Sequence, residues 1–328
     1  MLRKIHLLAG AAALACIAFA AQPLVADDYP SRPITDIVAS TAGGGTDIVS
    51  RIFGEQLSKQ LGQPFVVENI AGAGSLNGTV AAARATPDGY TLQTGLNASM
   101  AVNASLFANL PYDPVNDFEP VGMLAEFPFA VVVSNSFPAH SIKELIALLK
   151  EKPGQINFGH GGPGSAIHLA AELFQIMTGT TMTGIAYRGA PLALNDVIAG
   201  RVSLMFADAG SVSGQIKAGQ VRALGVSSTE RVPALPDVPT IAEAGVPGFE
   251  AVGWTLVCVP AATPKPIQAK LSEALDAAAH TPEVQALMQQ LGTLPVKSPP
   301  PAELTPWLAS EIDRWGKLVE KAGVAKSL

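Results

Sequence analysis

The chain repeats itself, and the repeat restricts what it can fold into. Shifted by 117 residues, Gly44-Gly45 falls on Gly161-Gly162, Glu55 on Glu172, Gly62 on Gly179, Gly72-Ala73 on Gly189-Ala190 and Arg84 on Arg201. Each copy reads strand, Gly-rich turn, helix, Gly, strand, short turn with Gly-Ala, helix. A period of 20–50 residues would indicate a solenoid. Copies of about a hundred residues indicate two lobes, each burying its own sheet.

The flanking pattern agrees. Strands are expected at 34–39, 64–68, 90–94, 130–134, 155–158, 184–187, 202–206, 221–227 and 252–259. Helices are expected at 47–61, 75–85, 141–151, 165–178, 191–199 and 211–218. Short apolar runs alternating with helical periodicity argue for parallel α/β sheets. The tail differs, with three successive helices at 266–280, 282–291 and 301–322, each with Pro near its start. They are expected to cover a sheet rather than form a third domain.

The N-terminus speaks to compartment. Met1-Leu2-Arg3-Lys4 is a short basic segment, followed by an apolar, Ala-rich run to Ala21 and small residues before Asp27-Asp28. Residues 1–26 therefore read as a secretory signal peptide, with cleavage expected after Ala26 in preference to the alternative after Ala20, the run being shorter than the ~20 residues a spanning helix needs. Losing Arg3 and Lys4 leaves 19 Lys+Arg against 27 Asp+Glu, a net charge of about −8. Nucleic acid is not an expected partner, because phosphate binding needs a basic face. Only Cys258 then remains, within the apolar run 255–259, where a buried inert thiol is expected.

Four turns could carry chemistry. Ser40-Thr41-Ala42-Gly43-Gly44-Gly45-Thr46-Asp47 joins a strand to a helix. Its glycines let backbone approach a ligand, and Thr46 or Asp47 can cap the helix. Helix N–H groups and the helix dipole make an anion site that needs no Lys or Arg. No Gly-Lys-Ser/Thr follows, so this is not a phosphate loop. The second turn, Gly159-His160-Gly161-Gly162-Pro163-Gly164-Ser165, offers the same physics, with Ser165 as the cap and His160 as an extra donor. Gly159, Gly161 and Gly164 satisfy GxGxxG, but Tyr187-Arg188 stand where a ribose-binding acid would be needed. His168, one turn into the helix, reads as a structural hydrogen-bonder. The third turn, Gly72-Ala73-Gly74-Ser75, reads equally as a turn with a cap. The fourth, Gly95-Leu96-Asn97-Ala98-Ser99, ends a strand at the sheet edge where ligands collect. Asn97 and Ser99 are candidate contacts there, and Asp208 is one from the other lobe.

Catalytic sets are poor. The sequence contains neither HExxH nor CxxC, and no metal or cofactor is expected. Ser165 lies near His168 but lacks a G-x-S-x-G elbow. An exported esterase-like α/β hydrolase using Ser165 and a histidine is the rival reading.

Taken together the motifs resemble the substrate-binding proteins of tripartite tricarboxylate transporters, the Bug family, over essentially the whole mature chain. The marks are Tyr29-Pro30-Ser31-Arg32-Pro33-Ile34, Ala42-Gly43-Gly44-Gly45-Thr46-Asp47, Val67-Glu68-Asn69 leading to Gly72-Ala73-Gly74, and Pro87-Asp88-Gly89-Tyr90. They continue with Gly164-Ser165, His168-Leu169, Tyr187-Arg188-Gly189, Leu235-Pro236-Asp237-Val238-Pro239-Thr240 and Glu243-Ala244-Gly245.

The resemblance implies a two-lobed periplasmic binding protein (Venus flytrap) with a cleft between similar βα domains. It implies no catalysis and no cofactor, a monomer, capture of a small carboxylate (di- or tricarboxylate, amino acid or aromatic acid), and delivery to membrane permease subunits. Lobe 1 is expected at 27–129 plus 254–328 and lobe 2 at 130–253, with the last strand and helices returning to lobe 1. The resemblance assigns the two Gly-rich loops to the ligand, so the candidate set is Ser40, Thr41, Ala42, Gly43, Gly44, Thr46 and Asp47 from one lobe and His160, Gly161, Gly162, Gly164 and Ser165 from the other, joined by Asn97, Ser99 and Asp208 from their place at strand ends. Two positions depart from the family pattern. Val38-Ala39-Ser40 replaces a Val-Pro-aromatic segment, and His160 stands where a small hydroxyl residue is usual. A pocket wider near Ser40 is expected, with His160 meeting a distal polar or carboxylate group.

Overall fold

The computed structural model describes residues 29–187, 189–293 and 298–328. The proposed signal peptide, Cys16 and Arg188 lie outside the described residues.

Among the described residues nine strands and ten α-helices follow one another. The first half runs β1 (Ile34–Val38), α1 (Gly45–Leu61), β2 (Phe65–Asn69), α2 (Leu76–Ala83) and β3 (Thr91–Leu96). A π-helical turn (Ala98–Val102) and α3 (Asn103–Leu106) lead to a long β4 (Phe118–Ser134). Next come α4 (Ile142–Glu151), β5 (Asn157–His160), α5 (Ala166–Thr178), β6 (Thr183–Ala186), α6 (Ala190–Ile198), β7 (Leu204–Asp208), α7 (Ala209–Lys217) and β8 (Val221–Val226). β9 (Val252–Pro260), α8 (Lys265–Ala279), α9 (Pro282–Gln290) and α10 (Pro301–Lys321) complete the fold.

The repeat is visible in the strand order β2-β1-β3-β9-β4-β7-β5-β6. β1 lies parallel to β2 and β3, and β5 lies parallel to β6 and β7. The first helix of each copy ends identically. Gly62 (φ 70°) and Gly179 (φ 61°) take the left-handed conformation and donate back to Ser58 O and Gln175 O. A side chain would be strained there, which is why both copies keep Gly. The 117-residue offset fails at the helix starts, however. The N-caps are Gly44 and Ser165, so Gly44-Gly45 and Gly161-Gly162 are not structural equivalents. The second loop, 161–165, is one residue shorter than the first, 39–44.

The sheet is mixed rather than all parallel. β9 runs antiparallel to β3 and β4, and β4 runs antiparallel to β7, β8 and β9. β4 also begins well before the expected residue 130. Its first part, through Pro128, pairs with β9; from Phe129 onward it pairs with β7 and β8. Pro120 and Pro128 mask this strand in the sequence, and one register shift falls at Pro120/Gly122, where a missing N–H is tolerated.

β9 shows how the first half is layered. Val257 and Val259 join a core with Val49, Phe53 and Leu57 of α1, Ile267 and Leu271 of α8, and Met288 of α9. Leu256 and Cys258 join a second core with the π-turn and α10. Successive strand residues point to opposite faces, so the sheet is covered on both sides. The tail helices pack over it, as expected, with Pro in the first turn of each. A third core surrounds β4 from Phe129 to Val133, with Phe158, Phe174, Phe206 and Phe249. Cys258 is fully buried, and burial raises its thiol well above the usual range.

Candidate functional site

The two Gly-rich loops bring helix starts to one cleft. Gly44 caps α1 without a side chain, so the first N–H groups of α1 receive no side-chain acceptor. Asp47, expected as a cap, lies beneath the loop instead. It is 3% exposed, and its carboxylate accepts from Gly43 N (2.8 Å), Asn69 Nδ2 (3.0 Å) and Arg51. Burial acts to raise its pKa, but these donors outweigh burial and hold the carboxyl below its ordinary value. Asp47 braces the loop; it does not face the cleft.

Ser165 likewise does not cap α5. Its Oγ donates to Gly162 O at 2.8 Å, which leaves the α5 start open too. By contrast α4, α7 and α9 are capped by Ser141, Asp208 and Thr281. The serine–histidine pair of the hydrolase reading is not assembled among the described residues. Ser165 Oγ is given to a carbonyl, and the nearby imidazoles accept backbone N–H groups.

His160 is the clearest departure from expectation. It is 4% exposed, its Nδ1 accepts from Gly162 N (3.3 Å), and its ring lies against His168 (4.4 Å) and Phe158 (5.5 Å). Its Nε2 side faces Gly184, where an added Cβ would come within 3.2 Å. Little of the ring is left to meet a ligand, so the expected distal contact finds no open face. Burial lowers its pKa. His168 accepts from Gly164 N at 3.3 Å, as a structural hydrogen-bonder should.

The cleft itself, of about 210 Å³, is lined by Gly45 and Thr46 of α1, Ala166 of α5, Leu96 and Asn97 at the end of β3, and Asp208 at the end of β7. Phe127, Phe129 and Trp254 supply aromatic walls, with Gly253 and Thr255 beside them. Of the residues singled out in the sequence, Thr46, Asn97 and Asp208 come together here. Thr41, Ala42 and Gly43 sit on the exposed part of the first loop. Gly161 and Gly162 are half-buried in the second loop, and Gly164 is buried against Leu106 of α3. Ser99 is buried, bonded to Leu96 N and O, and holds the strand end rather than lining the cleft.

Sequence reasoning missed the crossing strands. The register places Phe129 opposite Asp208, Phe127 opposite Gly253, and Thr255 between Leu96 and Ala125. The missing aromatic near Ser40 is thus offset by Phe127, Phe129 and Trp254. Recognising 118–129 as strand would have exposed them.

The polar groups of the cleft are incompletely satisfied. Asn97 is 5% exposed and Thr255 is 1% exposed, yet Asn97 Nδ2 and Thr255 Oγ1 have no hydrogen-bond partner. Ser40 Oγ, at the root of the first loop, is also buried and unpaired. Orphaned buried polar atoms are uncommon and costly. Several together around one cleft mark a place shaped for a polar ligand. The described residues contain no cluster of His, Cys, Asp or Glu that could hold a metal ion, and no helix long and apolar enough to cross a membrane.

Comparison with known proteins places the chain. The model of the family described as "Tripartite tricarboxylate transporter family receptor" matches residues 49–324. Protein BugT of Bordetella pertussis is 37% identical over 304 residues, covering 92% of this chain and 93% of BugT. Among solved structures, R. palustris Rpa4515 with adipate superposes with a TM-score of 0.82 at 34% identity, covering 91% of this chain and 99% of that one. MatC from Rhodopseudomonas palustris with bound malate gives 0.77 at 33% identity, covering 89% and 100%.

Proposed function

The chain belongs to the tripartite tricarboxylate transporter receptor family, and from that premise we propose that it captures a small carboxylate in the cleft between its two halves and delivers it to membrane permease subunits. In this reading the protein works in the periplasm as a monomer, after removal of residues 1–26, and does no chemistry on its ligand. The observation that carries it is the cleft's inventory. Two helix starts without side-chain caps, α1 and α5, meet there with the unpaired Asn97 Nδ2 and Thr255 Oγ1. Helix N–H groups and a neutral amide donor suit an anion without any basic side chain. Adipate and malate in the two related structures fit that chemistry.

The lobes would be 27–129 plus 254–328 and 130–253. The partner switch of β4 at Pro128/Phe129 and the β9 start at Val252 support hinges at those two crossings. Ser227 ties the crossings together. It donates from N to Phe129 O (2.7 Å), receives Phe129 N on Oγ (2.8 Å), accepts Ala251 N at its carbonyl (3.0 Å) and donates from Oγ to Ala251 O. Bending there would open and close the cleft. Away from the hinge the halves already touch where Gly164 meets Leu106 and Gly210 meets Leu291.

Ligand contacts in this proposal are backbone groups of Gly45, Thr46 and Ala166 with the side chains of Asn97 and Thr255. The rest of both Gly-rich loops, including Ser40–Gly44 and His160–Ser165, would hold those groups in place. A thermal-shift screen with adipate, malate, succinate, glutarate and citrate, read beside tryptophan fluorescence, tests it. A ligand that favours the native state raises the melting temperature, and Trp254 in the cleft wall should report occupancy. Mass spectrometry of co-purified ligand should find a carboxylate. If no carboxylate stabilises the protein and none co-purifies, the proposal fails.

A further inference from the structure

We infer that the cleft selects a carboxylate that also bears an ammonium group, with Asp208 receiving the ammonium. The inference rests on the carboxylate reading above and narrows it.

Asp208 is the one charged side chain among the described residues lining the cleft; no Lys, Arg or His is among them. It ends β7 directly across from Phe129 and begins α7, whose Ser211 N its Oδ1 accepts at 2.8 Å. Burial raises its pKa, opposed by the hydrogen bonds from Ser211 and Gly210. The carboxyl is half-buried at the cleft, with nothing cationic beside it among the described cleft residues. The same cleft is lined by the two open helix starts and by Asn97, whose unpaired Nδ2 suits an anion.

The cleft thus holds groups that ask for opposite charges. A plain dicarboxylate would satisfy the donors and bring a second carboxylate near Asp208. Like charges held close together are unfavourable and act as a filter against the wrong ligand. An ammonium there gains an ion pair instead, and the faces of Phe127, Phe129 and Trp254 favour a cation further. The unpaired Thr255 Oγ1, which can accept as well as donate, also lines the cleft and suits either the ammonium or a carboxylate oxygen.

Capping α7 does not need the charge, because Asn caps as well as Asp. Asp208→Asn therefore removes the charge and keeps the fold, which unfolding of the ligand-free variant verifies. Calorimetric affinities would be measured for aspartate against succinate, glutamate against glutarate, and γ-aminobutyrate against butyrate. The inference requires that in at least one pair the ammonium-bearing member binds wild type about tenfold tighter or more, and that Asp208→Asn collapses this ratio to about threefold or less. It is overturned if the ammonium-free members bind wild type as well as their partners do, or if the ratio survives in Asp208→Asn. If the ammonium-free acids bind and the amino acids do not, only this inference falls. If no member of any pair binds and no carboxylate co-purifies, the carboxylate reading falls with it.

Discussion

His160 and His168 lie ring against ring, 4.4 Å between centroids, and each takes one N–H of the second Gly-rich loop on its Nδ1, from Gly162 and Gly164 respectively. Both must be neutral at Nδ1 to accept. Burial holds both below the ordinary histidine range, His168 down to about 4, with the neighbouring His160 adding to the effect. The pair fixes the loop that begins α5.

A pH dependence follows. Unfolded, His168 titrates near 6.5. Between there and about 4 the unfolded chain binds a proton that the folded chain refuses, so stability falls as pH falls through that window. For His168 the loss is on the order of 3 kcal/mol at the acid end. Urea unfolding of wild type and His168→Gln at pH 7 and pH 4.5 reads this contribution, together with the change at Glu172, whose carboxylate lies 3.6 Å from His168 Nε2. The variant should show a visibly flatter pH slope; an equal slope contradicts the account.

Thr255→Val removes a hydroxyl that has no partner in the protein. Shape is kept and nothing loses a hydrogen bond, so stability should stay within about 0.5 kcal/mol or rise. Affinity for the cleft ligand should fall, by roughly tenfold for one hydrogen bond. Parallel melting and calorimetry decide this, and a clear loss of stability would mean that Thr255 works within the fold.

Ser227→Ala should cost about 1–3 kcal/mol, because Phe129 N loses its acceptor and Ala251 O a donor inside a fully buried crossing. Denaturant unfolding gives the number directly. A cost below about 0.5 kcal/mol would show that the remaining backbone bonds suffice.

Gly210 and Gly214 both lie in α7 and should respond oppositely to alanine. A Cβ at Gly210 would fall on the Leu291 carbonyl, whereas a Cβ at Gly214 meets nothing within 4 Å. Gly210→Ala should lose about 1–3 kcal/mol as α7 is forced from the end of α9. Gly214→Ala should gain about 0.5–1 kcal/mol from helix propensity. Melting temperatures shifting in the same direction would refute the contact.

Much of the fold was legible because its determinants are local. Apolar runs such as Ile34–Val38 and Val252–Pro260 are buried along nearly their whole length, and the Gly C-caps and helix-starting Pro residues announce themselves by backbone preference. The antiparallel course of β4 and β9 was not legible, since periodicity records which residues are apolar and not which strand lies beside them. The π-turn after Leu96 escaped for a related reason: its residues are buried on all sides and carry no helical stripe.

The site divides the same way. Sequence alone determined that two Gly-rich turns begin helices, and it picked out Thr46, Asn97 and Asp208 by their place after strands. Only the tertiary structure decided that Asp47 and His160 turn inward to brace their loops, and that Phe127, Phe129, Trp254 and Thr255 form the walls. The physical reason is that a loop's backbone conformation is written in its own glycines. Where a side chain on that loop points depends on donors and rings brought from residues far along the chain, Asn69 for Asp47 and Gly184 for His160.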